Sequence, residues 1–397
     1  MHKKALYVGK KLASIKNNTR HKEMLQQAYD HLWAGQCNCP YWHGVFGGLY
    51  LPHIRHAVYS QMIQAEILID KLKQGEQYGR GWIDYQLFDF DADGQDELIV
   101  ESDIYNLYFS PHNGGTLFEM DYKPKAVNLL DTMSRREEGY HRKLLKMNEH
   151  QVSNSNNDNV ASIHDKIVAK EKDLDKKLFF DNYRRSSLID HFLNSNATIE
   201  AVAISNCHEN ANSILLPYRY ETYQQKNELI IKMAREGYVR TQNNQAKLQI
   251  EKLIQIQSRI SQIEYKYCLR NVEAKLLEVW FAIEFNVSLL AGNAPDRYYY
   301  FKNHEIDDPK LASIGIVNDV IEMGLKDEWQ GLNIRFTFDQ PTVVWRFPIE
   351  TISQSEAGFE RVYQSSVVFP NWKIQLPPGS EWHTSIWYEI LTEKDLR

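Results

Sequence analysis

Two stretches of this sequence place reactive residue types at spacings that could do chemistry. The first, Gln36 to Gly48 (Gln-Cys-Asn-Cys-Pro-Tyr-Trp-His-Gly-Val-Phe-Gly-Gly), gathers two thiols, an amide, two adjacent aromatics, a histidine and a glycine pair in one short run. Three chemistries fit it. Cys37, Cys39 and His43 could ligate a metal, but a single C-x-C with one histidine lacks the paired spacing of a structural zinc site. Trp42 and Phe46 could anchor a loop in a core while His43 bonds a carbonyl and the glycines permit a turn. Or Tyr41 or Trp42 presents a ring face to the C–H surface of a sugar while Asn38 and His43 reach its hydroxyls.

The second stretch is Asp89-Phe-Asp91-Ala-Asp93-Gly94-Gln-Asp-Glu97. Carboxylates at alternate positions with glycine at the sixth suit an oxygen-ligated calcium ion. The twelfth position is Val100, where a helix–loop–helix calcium site needs a bidentate glutamate, and the flanks Tyr85, Leu87, Leu98 and Ile99 are strand-like. The expectation is a calcium ion (Ca2+) held by Asp89, Asp91, Asp93 and Glu97, stapling a β-hairpin. An acidic turn without metal is the other reading, because Asp and Gly also favour turns for backbone reasons.

These residues need elements to hold them. Ile54, Val58, Met62, Ala65, Ile69 and Leu72 recur at three- and four-residue spacing, the stripe of an amphipathic helix with Pro52 in its first turn. A second helix is expected over about Glu23 to Trp33, with the Gln36–Gly48 motif as the loop between them. Residues 1 to 75 therefore read as a helical region. After Gly75 the period changes to two, and Asp93-Gly94, Asn113-Gly114-Gly115 and Lys123-Pro124 interrupt short apolar runs, as in antiparallel β structure. Alternation persists in Leu248/Ile250, Ile254/Ile256, Ile263/Tyr265/Tyr267/Leu269, Leu332/Ile334/Phe336/Phe338, Val343/Trp345/Phe347/Ile349 and Ile386/Tyr388/Ile390. A dozen or more strands exceed an immunoglobulin-like fold, so residues 76–397 read as one large two-sheet sandwich. A polar insertion at about 141–177 is too poor in apolar residues to fold alone. The fold class expected is α+β, mainly β: an N-terminal helical segment followed by a large antiparallel β-sandwich of the mutarotase-like, supersandwich kind.

Composition narrows the partners. A net charge of −6 with no dense Lys/Arg block argues against nucleic acid. Four cysteines in 397 residues are too few for a disulfide framework. No 18-residue apolar run suggests a membrane span, and Met1 to Tyr7 lacks the apolar core of a signal peptide, so the cytoplasm is the expected compartment.

The run from Gln36 to His53 resembles the last characteristic segment of glycoside hydrolase family 57, in its 4-α-glucanotransferase and α-amylase branch. Asp181 to Leu193 and Tyr363 to Pro370 are similar to the C-terminal β domain of that branch, so the resemblance spans nearly the whole chain. It implies a helical region, residues 1–75, whose apolar stripe would pack on a distorted barrel that precedes it, a β-sandwich that follows, and a glucan cleaved with retention by a Glu nucleophile and an Asp acid. Retention needs two carboxylates about 5 Å apart. The barrel segments that bear them would precede Met1, so no catalytic residue is assigned here. By resemblance Trp42 and His43 line the rim of the cleft; Cys39 occupies a variable position and receives no role.

The implied function is the accessory part of an α-glucan-processing enzyme, binding α-1,4-glucan or maltooligosaccharide beside a separately encoded barrel subunit or through self-association. The alternative is a non-catalytic glucan-binding or partner-binding module. A third reading, an independent mutarotase-type enzyme, requires a His and a Glu converging on an anomeric carbon, and none can be placed from sequence. Arg184, Arg185, Asp190 and His191 read as a structural ion-pair group, with contact to substrate as the other reading.

Overall fold

The computed structural model describes residues 1–15, 21–43, 47–146, 170–211, 214–240, 245–355 and 358–392. Helices α1 (His2–Ala13), α2 (Lys22–Ala34) and α3 (Pro52–Gln74) form the N-terminal region. Pro52 opens α3, where its missing N–H costs nothing, and Gly75 closes it at a positive φ of 54°. Val58, Met62, Ala65 and Ile69 of the α3 stripe are buried against Val8 and Leu12 of α1 and Ala28 and Leu32 of α2. Those four residues are thus covered within the chain, while Ile54 and Leu72 at the two ends of the stripe stay partly exposed.

Five strands follow in a meander: β1 (Ile83–Phe88), β2 (Glu97–Ser102), β3 (Tyr105–Ser110), β4 (Thr116–Tyr122) and β5 (Val127–Asn128). The helices meet this sheet through Tyr7, which packs with Phe90, Ile99, Tyr108 and Phe118, and through buried charge. Lys4 on α1 is fully buried, 2.9 Å from Glu66 on α3, 2.9 Å from Glu119 and 2.5 Å from Asp121 on β4. Lys11 bonds Glu66 at 3.0 Å and also pairs with Glu101 of β2, while Lys123 reaches Asp70 of α3 at 2.7 Å. Each buried charge has an opposite partner, which desolvation demands.

The large sheet contains β6 (Ile189–Leu193), β7 (Arg219–Gln225), β8 (Glu228–Arg240), β9 (Gln245–Gln257), β10 (Gln262–Asn271), β11 (Leu277–Val287), β12 (Arg297–Phe301), β13 (Gly315–Asp327), β14 (Leu332–Ser355), β15 (Gly358–Leu376) and β16 (Glu381–Thr392). Its order is β6-β11-β15-β14-β16-β10-β9-β8-β7, with β13 also on β14 and β12 on β13. Every ladder among the described residues is antiparallel. Leu98, Leu107 and Phe109 of the small sheet share one core with Ile231, Ile250, Tyr265, Phe285 and Phe336 of the large one. The architecture is mainly β, with a helical N-terminal region and no closed barrel, as the patterning predicts.

Two readings sharpen. The Gln- and Lys-rich stretch that helix propensity makes ambiguous is β9, because Leu248, Ile250, Ile254 and Ile256 alternate into the core. The runs Leu332–Phe338 and Val343–Ile349 belong to one 24-residue strand, β14. Its even positions Ile334, Phe336 and Val344 face the inter-sheet core. Its odd positions Trp345, Phe347 and Ile349 face a second core beneath the short helix α4 (Ile199–Ala203). Within the 141–177 insertion, residues 147–169 lie outside the described residues. Leu144 and Leu174 on its flanks are buried with Ile352 and Phe359 at the β14–β15 tip, so the flanks are docked there. No helix among the described residues is long and apolar enough to cross a membrane.

Candidate functional site

The motif leaves α2 at Gly35 and makes a short 3-10 turn over Cys39–Tyr41, with Pro40 buried in it. A second such turn, Gly48–Tyr50, leads into α3. Glycine is required at position 48 on two counts: its φ is 50°, and a Cβ there would lie 2.1 Å from the carbonyl oxygen of Trp42. That oxygen accepts the N–H of Leu49 at 3.1 Å, so the close approach itself closes the loop.

The four proposed sugar contacts have different surroundings. Trp42 is 50% exposed and does not anchor a core. Asn38 is exposed at the head of the first turn, its carbonyl accepting the N–H of Tyr41 at 3.1 Å. Tyr41 is half-buried against the helical core and donates its hydroxyl to the Gly35 carbonyl at 2.6 Å, which spends it on holding the loop. His43 lies flat on Tyr140, ring centroids 4.7 Å apart at 23°, edge-on to Tyr50, with Nε2 3.2 Å from the Gln354 carbonyl. Phe46 lies outside the described residues. Cys37 and Cys39 are exposed and unpaired, and the metal-capable groupings among the described residues do not include them.

Residues far away in sequence lock this loop to the sandwich. Arg55, 1% exposed, directs Nε at both oxygens of Asp131 (2.9 and 3.1 Å), Nη1 at the Leu49 carbonyl, and Nη2 at the Asp131 carbonyl and Gln364 Oε1. Gln364 in turn donates to the Tyr50 carbonyl at 3.0 Å and to Thr351 at 2.8 Å. Tyr50 bonds Glu138, and burial together with that bond pushes its phenol far up. Sequence reasoning misses Arg55, Asp131, Glu138, Tyr140 and Gln364, whose local patterns carry no sign of pairing across up to 314 residues.

The acidic loop joins β1 to β2 as a hairpin, with Phe88 opposite Glu97. Oxygens of Asp89, Asp91 and Glu97 lie within 4.8 Å of one another. Asp93 is not in that group; its Oδ1 accepts the Gln95 N–H at 2.8 Å. Asp89 caps the turn by accepting the N–H groups of Asp93 (3.0 Å) and Gly94 (3.1 Å), and Gly94 has a φ of 90°. Asp91 Oδ1 is buried without a partner. Burial, reinforced by Asp91, pushes the Glu97 carboxyl up to about 7. An orphaned oxygen and crowded, desolvated carboxylates fit a hard cation.

Asp181 to Leu193 contributes no accessible site. Arg185 is buried between Asp181 and Glu284, both at 2.9 Å. Asp190 pairs with buried Lys252 of β9 at 3.0 Å, so its partner is a lysine of another strand and not a neighbouring arginine. Arg184 stacks over Phe118. His191 meets Glu209 at 2.9 Å and Glu284 at 3.1 Å. A histidine and glutamates do converge here, but the His191 side chain is 2% exposed and both its nitrogens are occupied, so no sugar reaches it.

Comparison with known proteins fits this architecture. Residues 1–69 match the middle domain, and residues 89–386 the C-terminal domain, of the family model described as alpha-amylase/4-alpha-glucanotransferase. The chain is 36% identical over 389 residues to "Alpha-amylase 1" of Dictyoglomus thermophilum, covering 97% of this chain and 52% of that protein. It is 29% identical over 373 residues to "4-alpha-glucanotransferase" of Thermococcus litoralis, covering 93% and 49%. The crystal structure of the latter enzyme superposes with a TM-score of 0.73 at 26% identity, covering 98% of this chain and 51% of that one. The chain therefore spans about half the length of the curated relatives it matches. Family models over both parts of the chain, and a fold shared across its whole length, agree with the Gln36–His53 motif: this chain belongs to the alpha-amylase/4-alpha-glucanotransferase family and carries its middle and C-terminal domains.

Proposed function

We propose that this chain is the accessory half of an α-glucan-processing enzyme of the 4-α-glucanotransferase or α-amylase type. It holds an α-1,4-glucan or maltooligosaccharide at the Trp42 loop, while the bond-cleaving carboxylates come from a barrel outside residues 1–397. The observation that carries this reading is the contrast within the motif: Tyr41 and His43 are consumed in holding the loop, and Trp42 is left half exposed on it. A large aromatic side chain offers a ring face at little entropic cost, having only two torsions to fix. Asn38, exposed on the same loop, supplies an amide for hydroxyls. Asp89, Asp91 and Glu97 would hold a calcium ion, which would neutralise the crowded carboxylates and staple β1 to β2. The cytoplasm is the proposed compartment, in keeping with four unpaired cysteines.

The experiment is a maltoheptaose titration followed by tryptophan fluorescence, comparing wild type with Trp42→Ala. Saturable binding weakened about tenfold in the variant is expected. Equal binding by both proteins, or none by wild type, contradicts the reading. The alternative, a glucan- or partner-binding module with no enzyme half, is favoured by a second exposed aromatic on α2, Trp33, which is 56% exposed beside Tyr29. Native mass measurement of the chain in its source cytosol separates the two: a complex with a barrel subunit supports the first.

A further inference from the structure

We propose that Cys268, Glu381 and His383 form a Zn2+ site on the solvent face of the large sheet, separate from both the Trp42 loop and the acidic loop. The sheet itself assembles it. Cys268 on β10 stands directly opposite His383 on β16, and Glu381 lies two residues before His383, so period-two alternation puts all three on one face. Leu269, Tyr267, Thr384 and Ile386, at the intervening positions, point into the protein. The sulfur, one imidazole nitrogen and one carboxylate oxygen lie within 4.8 Å of one another. A tetrahedral zinc with bonds of about 2.0–2.3 Å holds its donors about 3.5 Å apart, a closure that exposed side chains make by small rotations.

The donor set selects the metal. A thiolate with an imidazole disfavours calcium and magnesium and suits zinc, the converse of the all-oxygen set at Asp89, Asp91 and Glu97. Three protein ligands leave a fourth position for water or for Glu251, which sits across the β9–β10 ladder from Cys268. No second cysteine competes for Cys268, since all four are unpaired. Without metal, Glu381 bridges Arg270 and His383, the latter at 3.1 Å. Zinc takes that carboxylate and the His383 lone pair, and the Cys268 thiol proton leaves to solvent as the Zn–S bond forms. Arg270 thereby loses its partner, so it opposes binding.

The test uses the full chain without a histidine tag, reduced and stripped by chelator, titrated with Co2+ and then with Zn2+ against a chromophoric chelator. One equivalent of Co2+ should give a sulfur-to-cobalt charge-transfer band that Zn2+ displaces. Cys268→Ser should abolish the band, and His383→Ala should weaken Zn2+ binding by about tenfold or more, since losing a ligand costs at least what losing its supporting partner costs. Arg270→Gln should tighten it. In wild type, Zn2+ should block alkylation of Cys268, a readout that needs no variant. The proposal is overturned if the band survives Cys268→Ser, if it disappears instead in the Cys37→Ser/Cys39→Ser double variant, or if alkylation of Cys268 is unaffected by Zn2+.

Discussion

The ring of His43 lies face to face with that of Tyr140 at 4.7 Å, and its Nε2 sits 3.2 Å from the Gln354 carbonyl, 311 residues further along the chain. The loop between α2 and α3 is therefore seated on the tip of the β14–β15 hairpin. Its geometry depends on the sandwich. Tyr140→Ala should remove that seat while leaving Trp42 in place. Maltoheptaose affinity should drop by about threefold to tenfold, and the loop should become sensitive to limited proteolysis.

Trp42 makes a sharper case because it is half exposed. Trp42→Ala should change thermal stability by no more than about 0.5 kcal/mol, as surface substitutions do, while weakening glucan binding. Scanning calorimetry beside the fluorescence titration checks both halves. A large fall in stability would return Trp42 to a structural role.

Arg55 joins α3 to the sandwich, and the Asp131 side chain beside it is only 12% exposed. Arg55→Met should cost about 3–5 kcal/mol by leaving that carboxylate uncompensated. The Arg55→Met/Asp131→Leu double variant should recover part of the loss, because both charges then leave the interior. Urea unfolding measured on all three proteins decides this.

The fold was largely legible from period. Stripes such as Val58, Met62 and Ile69, and alternations such as Ile254/Ile256, record burial directly, since each apolar side chain must face a core. The site was legible only as a motif. Nothing local marks Lys4 for Asp121, or Arg55 for Asp131 and Gln364, because buried ion pairs leave no periodic trace. The same limit hid which members of the motif are free: Tyr41 and Trp42 are adjacent aromatics, and only the Gly35 carbonyl and the packing on α3 tell them apart. It also made the α3 stripe look unpartnered, since the amphipathic face of α1 that covers it begins fifty residues upstream of it.

Stability should depend on pH through His191. Burial opposes its charge, but Glu209 and Glu284 outweigh burial and raise it to about 9, above the unfolded value near 6.5. A raised pKa contributes stability that is complete below about pH 6.5 and lost as pH rises through 9, on the order of 3 kcal/mol. Glu284, held down to about 2 by Arg185 and His191 against burial, contributes stability above pH 4.5 that is lost as pH falls toward 2. His191→Gln should flatten the alkaline limb, measured as unfolding midpoint between pH 6 and 10.

Calcium should raise the melting temperature of the chain, by the equivalent of about 2.7 kcal/mol at one hundred times its dissociation constant. Asp91→Asn and Glu97→Gln should abolish the effect. Because Glu97 holds its proton up to about pH 7, the calcium effect should weaken as pH falls below that value. Melting curves with calcium and with chelator, at pH 6 and pH 8, test both statements.

The central claim is that this chain holds glucan without cleaving it. Incubating the purified 397-residue chain with maltoheptaose and resolving the products by chromatography tests it most directly. The account predicts an unchanged maltoheptaose peak at all times. Longer and shorter oligosaccharides, formed at a rate proportional to the chain's concentration and retained after further purification, would contradict it.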